Sequence, residues 1–291
     1  MMNNHNERAL KTYFEGKWHD GNYPILGAGD HATWLGTLVF DGARRFNGVT
    51  PDLDLHCKRI VRSAEAMGLV PAITGEEIEV IVREGLAQIP LEKDLYIRPM
   101  MWSIENGPGL IEPVPESVGF AVCLEHYQLP EKLVTMKLAL SNYRRPTLET
   151  AIVNAKASSL YANSGRIIAQ ARKRGFHNAV VLDANGNVAE TGSTNLFIVK
   201  DNIVKTPIPN GSFLAGITRA RTMILLADAG YQVVETTLTV DDLHNADEMF
   251  ITANFSKIVP ITHFEDTEYK QIEVGSKARA LYWAWAAKSD G

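Results

Sequence analysis

Cysteine is nearly absent from this chain: only Cys57 and Cys123 occur, far apart, with no CxxC and no histidine cluster beside either. That scarcity argues against a disulfide framework and against a zinc site, and makes a reducing, cytoplasmic setting the expectation. No run of about 18 apolar residues occurs, so no membrane-spanning helix is expected. A strong charge of either sign is also missing. Lys and Arg number 29 against 34 Asp and Glu, a net of -5. Such a mild balance gives no basic footprint for nucleic acid and no polybasic segment for a membrane surface. The stretch 1–8 is polar and lacks the apolar core of a signal peptide. Repeats and low-complexity tracts are absent as well.

What remains is an ordinary globular composition, 45% hydrophobic and 22% charged over 291 residues. That length holds two modest domains around real cores. Thr12 to His19 reads as a strand pair around Glu15-Gly16, and Leu38 to Val49 as two strands with Asn47-Gly48 as the hairpin turn. Asp52 is placed to cap a helix ending near Met67, before Gly68. Thr74-Gly75-Glu76-Glu77 is a capping-box pattern ahead of a helix to about Gln88. Asp94 to Trp102, Ser117 to Leu124 and Val134 to Leu140 read as strands. A helix is expected from Lys156 to about Arg174, followed by hairpins around Asn185-Gly186 and Asp201-Asn202. Further helices are expected over Ile217 to Ala229 and Ser276 to about Lys288. Strands that cluster around hairpin signals, instead of alternating with helices, point to α+β domains and not to a doubly wound parallel sheet. The domains expected are 1–128 and 133–291, joined by a linker at 125–132 that contains Pro130.

Three constellations lie in the second part. Lys156 sits in Asn154-Ala155-Lys156-Ala157-Ser158-Ser159, small uncharged neighbours that allow close approach of a ligand, with Tyr161 shortly after. Glu190 precedes Thr191-Gly192-Ser193-Thr194-Asn195-Leu196-Phe197, a loop of little bulk. Leu214-Ala215-Gly216-Ile217-Thr218-Arg219 is a glycine turn entering a helix, where free amides and the helix dipole favour a dianion. Each alone has a plain structural explanation: a surface lysine, a solvated turn glutamate, an ordinary helix cap. Together they are the amine, the carboxylate and the phosphate cradle that a pyridoxal phosphate enzyme needs.

Their order and wording resemble the fold-type IV aminotransferases, most closely the branched-chain amino acid aminotransferases. The resemblance covers nearly the whole chain and is most specific from Lys156 to Thr218. It implies two α+β domains with the cofactor in the cleft between them, the second domain carrying the Schiff-base lysine, and a homodimer. It implies that Lys156 binds pyridoxal phosphate as a Schiff base and shuttles the substrate proton, and that Tyr161 hydrogen-bonds the cofactor's phenolic oxygen. Glu190 would hold the ring nitrogen protonated. Leu214 would pack on the ring, and Gly216, Ile217, Thr218, Asn254 and Arg59 would serve the phosphate. On the substrate side, Tyr96-Ile97-Arg98 matches the family's Tyr-x-Arg element, with Tyr96 lining the pocket and Arg98 receiving a second carboxylate. Phe40-Asp41-Gly42-Ala43-Arg44 resembles Phe-Glu-Gly-x-Arg, which brings Arg44 to the same side. The implied reaction exchanges an amino group between a branched-chain L-amino acid and a 2-oxo acid such as 2-oxoglutarate, in two half-reactions.

Two departures concern the substrate. Leu35 stands where the family has a tyrosine, and Ala253-Asn254-Phe255 stands where it has Gly-Thr-Ala, so that Phe255 is far larger than its counterpart. Transaminases of the same fold that act on R-amines or D-amino acids are therefore alternatives. A 4-amino-4-deoxychorismate lyase-like enzyme and a non-catalytic binding protein are more distant ones.

Overall fold

The computed structural model describes residues 8–130 and 132–289. The polar start at 1–7, residue 131 of the expected linker and residues 290–291 lie outside the described residues. Two compact units form. The first runs to Leu129 and takes in Ala155–Ser159, and the second comprises Pro130–Asn154 and Leu160–Lys288.

The first unit is built on an antiparallel sheet. β1 (Ala9–Phe14) and β2 (Lys17–Asp20) form the expected hairpin at Glu15-Gly16, both in the left-handed region. β3 (Leu38–Phe40) and β4 (Ala43–Arg45) both pair with β5 (Leu95–Ser103), which pairs in turn with β6 (Val118–His126). The order is β2-β1-β6-β5-β3. Along β5, Leu95 and Ile97 are fully buried, while Tyr96, Arg98 and Met100 on the opposite face are half-buried. The period of two thus separates a core face from a working face. Helices α1 (His31–Leu35), α2 (Leu53–Ala66) and α3 (Gly75–Leu86) complete the unit. The capping box is present: Glu77 N donates to Thr74 Oγ1 at 3.2 Å and Thr74 N to Glu77 Oε2 at 2.8 Å. Such a cap contributes about 1 kcal/mol.

The second unit adds β7 (Met136–Arg144), α4 (Tyr161–Lys173), β8 (Asn178–Leu182), β9 (Val188–Thr191), β10 (Asn195–Lys200), β11 (Ile203–Pro207) and α5 (Ile217–Asp228). It ends with β12 (Gln232–Thr236), α6 (Val240–His244), β13 (Glu248–Ala253), β14 (Lys257–Phe264), β15 (Thr267–Glu268) and α7 (Glu273–Ala286). Its mixed sheet runs β12-β11-β10-β13-β14-β7-β8-β9, with parallel pairs at β11/β12, β7/β14 and β7/β8. Leu138, Leu196, Ile198, Ile251 and Ile261 lead one core. On the other face, Ile167 and Ala171 of α4 pack on Ala139, Ala179 and Val181. The α+β class is as expected.

Several local expectations change. Lys156 does not begin a helix: Ala157 bridges to Val39 in extended conformation, a tight turn occupies Ser158–Leu160, and α4 starts at Tyr161. β3 and β4 do not pair with each other, and Asn47-Gly48 closes only the small Phe46–Val49 bridge. Asp52 stands at the start of α2 but in the left-handed region, with no side-chain cap bond. β6 runs to His126, so Glu125 belongs to a strand. Strands β12 to β14 have no counterpart among the sequence-based expectations.

Candidate active site

In the first unit the working face gathers around the Lys156 segment. Lys156 N donates to Ser63 Oγ at 3.2 Å, and its carbonyl accepts from Phe40 N at 3.1 Å. These bonds, with the Val39–Ala157 bridge, hold Ala155–Ser159 against β3 and α2, which is why the segment packs with the first unit. The small neighbours Ala155 and Ala157 are buried and permit that close contact. The ammonium lies 4.9 Å from the centre of the Phe40 ring.

Arg59 lies one turn before Ser63 on α2, so both reach the same side of the helix. Its guanidinium is locked by Asp41, with Nε to Oδ2 at 2.6 Å and Nη2 to Oδ1 at 2.9 Å. Asp41 is fully buried and also meets His56 Nδ1 at 2.7 Å. Burial alone would raise the Asp41 carboxyl, but the Arg59 charge and His56 beside it hold it far below the usual carboxylate range. This bidentate pair fixes the plane of Arg59. The sequence marks Arg59 as a site residue, but Asp41 only as a substitute for Glu.

The pairing register places the substrate-side residues. Phe40 lies opposite Met100, Arg44 opposite Tyr96, and Tyr96 opposite Glu125, so all share one face with Arg98. A Cβ on Gly42 would overlap the Tyr96 phenol, so glycine is required there. Arg44 is buried, and its Nη1 donates to the Tyr127 carbonyl at 2.7 Å. Burial lowers the Arg44 guanidinium to about 10, still charged at neutral pH. Arg98 Nη2 donates to Glu125 Oε2 at 2.5 Å, and its guanidinium carbon stands 5.2 Å from the Tyr96 ring centre. Leu35 ends α1, half-buried, and a Cβ on the next residue, Gly36, would stand 3.6 Å from Ser159 Cβ. That neighbourhood brings the end of α1, at Gly36, to the lysine segment.

In the second unit Glu190 is buried in β9 and pairs with Arg145, Nε to Oε1 at 3.1 Å. Arg145 Nε also donates to the Ser212 carbonyl at 3.2 Å, tying the carboxylate to the loop that leads into α5. Asn195 braces the same loop, since its Nδ2 donates to the Leu214 carbonyl at 3.0 Å. A Cβ on Gly216 would collide with the Asn195 amide oxygen, which explains the glycine. The wide spacing between the Glu190–Asn195 motif and the Leu214–Thr218 motif thus closes in space. Gly216 precedes α5 in an extended conformation with no side-chain cap, so the amides of Ile217 and Thr218 open the helix uncapped by any side chain. Thr218 is buried there. Tyr161 opens α4 and is partly exposed. Asn254 and Phe255 occupy the three-residue turn between paired Ala253 and Lys257. Lys257 takes the left-handed conformation such turns use, is fully buried, and donates from Nζ to Asn254 Oδ1 at 2.5 Å. Phe255 projects at the tip, 46% exposed. Arg145 and Lys257 have no assigned part in the sequence-based site. Their signal is a cation at a position that folds inward, which composition does not display.

The first unit thus carries an amine on an extended segment, and the second a buried carboxylate and a helix start uncapped by any side chain. The sequence profile described as amino-transferase class IV matches residues 38–264, and the chain belongs to that family. An aminotransferase from Brucella abortus, bound to the cofactor PLP, is 48% identical with a TM-score of 0.94, over 96% of this chain and all of that one. The branched-chain-amino-acid aminotransferase of Pseudomonas aeruginosa is 29% identical over 84% of this chain and 80% of its own length. The branched-chain aminotransferase of the thermophilic archaeon Thermoproteus uzoniensis, solved with norvaline, is 26% identical at a TM-score of 0.90. That superposition covers 97% of this chain and 96% of the other. Among the described residues, no helix is long and apolar enough to cross a membrane.

Proposed function

We propose that this aminotransferase moves an amino group between a branched-chain L-amino acid and 2-oxoglutarate, in two half-reactions with pyridoxal phosphate. The observation that carries the reading is the shared face of Phe40, Met100, Tyr96 and Arg98 beside the Lys156 ammonium. The donor set fits the cofactor: a primary amine, an arginine held rigid by Asp41, and an uncapped helix start with a glycine where any Cβ would clash. When bound, pyridoxal phosphate supplies an electron sink for the pair released at the substrate α-carbon. Lys156 holds the cofactor covalently, and its Nζ carries the proton from that carbon. Glu190 keeps a proton on the ring nitrogen. Arg59, the Ile217 and Thr218 amides, the Thr218 hydroxyl and Asn254 would serve the phosphate. Tyr161 takes the cofactor's phenolic oxygen, and Leu214 covers the ring. Tyr96, Arg44 and the apolar Met100 and Phe40 shape the substrate side, and Arg98 receives the distal carboxylate of glutamate. The working assembly is a homodimer, which would elute in gel filtration at twice the chain's mass.

Two expected outcomes test the assignment of the phosphate and of Arg98. Thr218→Ala and Arg59→Ala both lose cofactor faster on dialysis, since each hydrogen bond to a charged group contributes about 1.5–3 kcal/mol. Arg59→Ala also leaves Asp41 buried without its main partner, so its melting temperature falls well below that of Thr218→Ala. Retention equal to the parent's in Thr218→Ala would place the phosphate elsewhere. Arg98→Ala raises KM for 2-oxoglutarate much more than KM for leucine, because only the diacid loses a charged contact.

A second reading is favoured by Leu35 and Phe255: a same-fold transaminase for R-amines or D-amino acids. A donor panel with 2-oxoglutarate and pyruvate, including both enantiomers of an aryl amine, separates the two. Turnover of the R-amine or a D-amino acid with pyruvate, and none of leucine with 2-oxoglutarate, selects the second.

A further inference from the structure

Arg59 and Arg98 are both paired arginines of the first unit, but the two pairs are built differently. Arg59 is held by two parallel bonds to a carboxylate that is fully buried. Arg98 is held by one, from Nη2 to Glu125 Oε2, with the two side chains 31% and 17% exposed. A guanidinium carries five N–H donors, and among the described residues no other protein acceptor meets Arg98. Glu125 lies one residue from the end of β6, next to exposed His126, so its side chain has a path to solvent. It is diagonal to Arg98 across the ladder and directly opposite Tyr96, on the face that carries Met100 and Phe40.

We infer that Glu125 is an internal counter-ion that lets one pocket serve two substrate classes. It neutralises Arg98 while an aliphatic side chain occupies the site, and yields the guanidinium to the distal carboxylate of a five-carbon dicarboxylate. The inference rests on the reading above that Arg98 faces the substrate side chain. An unpaired cation beside an aliphatic group would be left poorly solvated, whereas a permanently locked one could not answer a second carboxylate. A single, partly exposed bond meets both needs, and discrimination then comes from a difference between two bound states. Burial works against the Arg98 cation, but the Glu125 carboxylate and the Tyr96 phenol hold its pKa above the usual arginine value.

The test uses unreactive acids on the holoenzyme, with dissociation constants read from the cofactor absorbance. The probes are glutarate, for the diacid, and 4-methylpentanoate, for the aliphatic substrate. Glu125→Gln keeps the shape and a hydrogen bond but removes the charge. It is expected to tighten glutarate and not 4-methylpentanoate, shifting the ratio of the two constants by about tenfold. Arg98→Gln is expected to weaken glutarate alone, and the double variant to bind glutarate no better than Arg98→Gln. If Glu125→Gln leaves the ratio unchanged while Arg98→Gln weakens glutarate, the counter-ion role is overturned and the reading of Arg98 stands. If Arg98→Gln does not weaken glutarate, that reading fails and the counter-ion role fails with it.

Discussion

Lys156→Ala is expected to abolish transamination while leaving a folded protein that still takes up cofactor. The segment is held by backbone atoms: Lys156 N to Ser63 Oγ, the Lys156 carbonyl to Phe40 N, and the bridge at Ala157. None of these needs the side chain. On the proposed assignment, what is lost is the covalent attachment and the base that moves the proton from the substrate α-carbon. Proton transfer by a positioned group contributes about 10²–10⁴-fold on its own, so kcat should fall by at least about three orders of magnitude. Single-turnover absorbance on the amino-donor half-reaction checks this. A rate within tenfold of the parent, on the order of 1.4 kcal/mol of barrier, would reject the role.

Glu190→Gln is the second large effect. The carboxylate is buried, and Arg145 compensates its charge at 3.1 Å. Glutamine keeps the size but cannot hold a proton on a ring nitrogen by opposite charge, and the cofactor works as an electron sink only with that proton in place. The expected loss in kcat is one to several factors of ten, each about 1.4 kcal/mol. Cofactor affinity should change far less, because the proposed phosphate contacts at Thr218 and Arg59 are untouched. Titration of the apoprotein gives the affinity and steady-state kinetics the rate. A Gln variant with parental kcat would show that Glu190 does something else. Arg145 retains the Ser212 carbonyl in this variant, so the loop into α5 should stay in place.

The positions of these groups are legible in the sequence to different degrees. The hairpins at Asn185-Gly186 and Asp201-Asn202, the Thr74 capping box and the helix starting at Ile217 follow from local rules, and they appear where expected. The conformation at Lys156 does not. Small residues followed by a tyrosine suit a helix, and only the long-range bonds to Phe40 and Ser63 hold that stretch extended. Strands β13 and β14 escape local rules for a related reason. Most of their residues are buried on both faces, polar ones such as Glu248 and Lys257 included, so the alternation that marks a half-buried strand is weak. Of the candidate site, motif wording brings out Glu190 and Thr218. It cannot bring out Arg145, Asn195 or Asp41 as supporting groups, because each acts on a residue distant in sequence. Glu125 reads as part of a linker beside Pro130 and is instead a strand residue facing Arg98.

The most direct measurement of the central claim is chemical. The holoprotein is reduced with borohydride, digested, and its peptides are mapped for the cofactor mass. The account predicts one modified residue, Lys156, in the peptide containing Ala155 and Ala157. Modification at another lysine, such as the buried Lys257, with Lys156 unmodified, would contradict it.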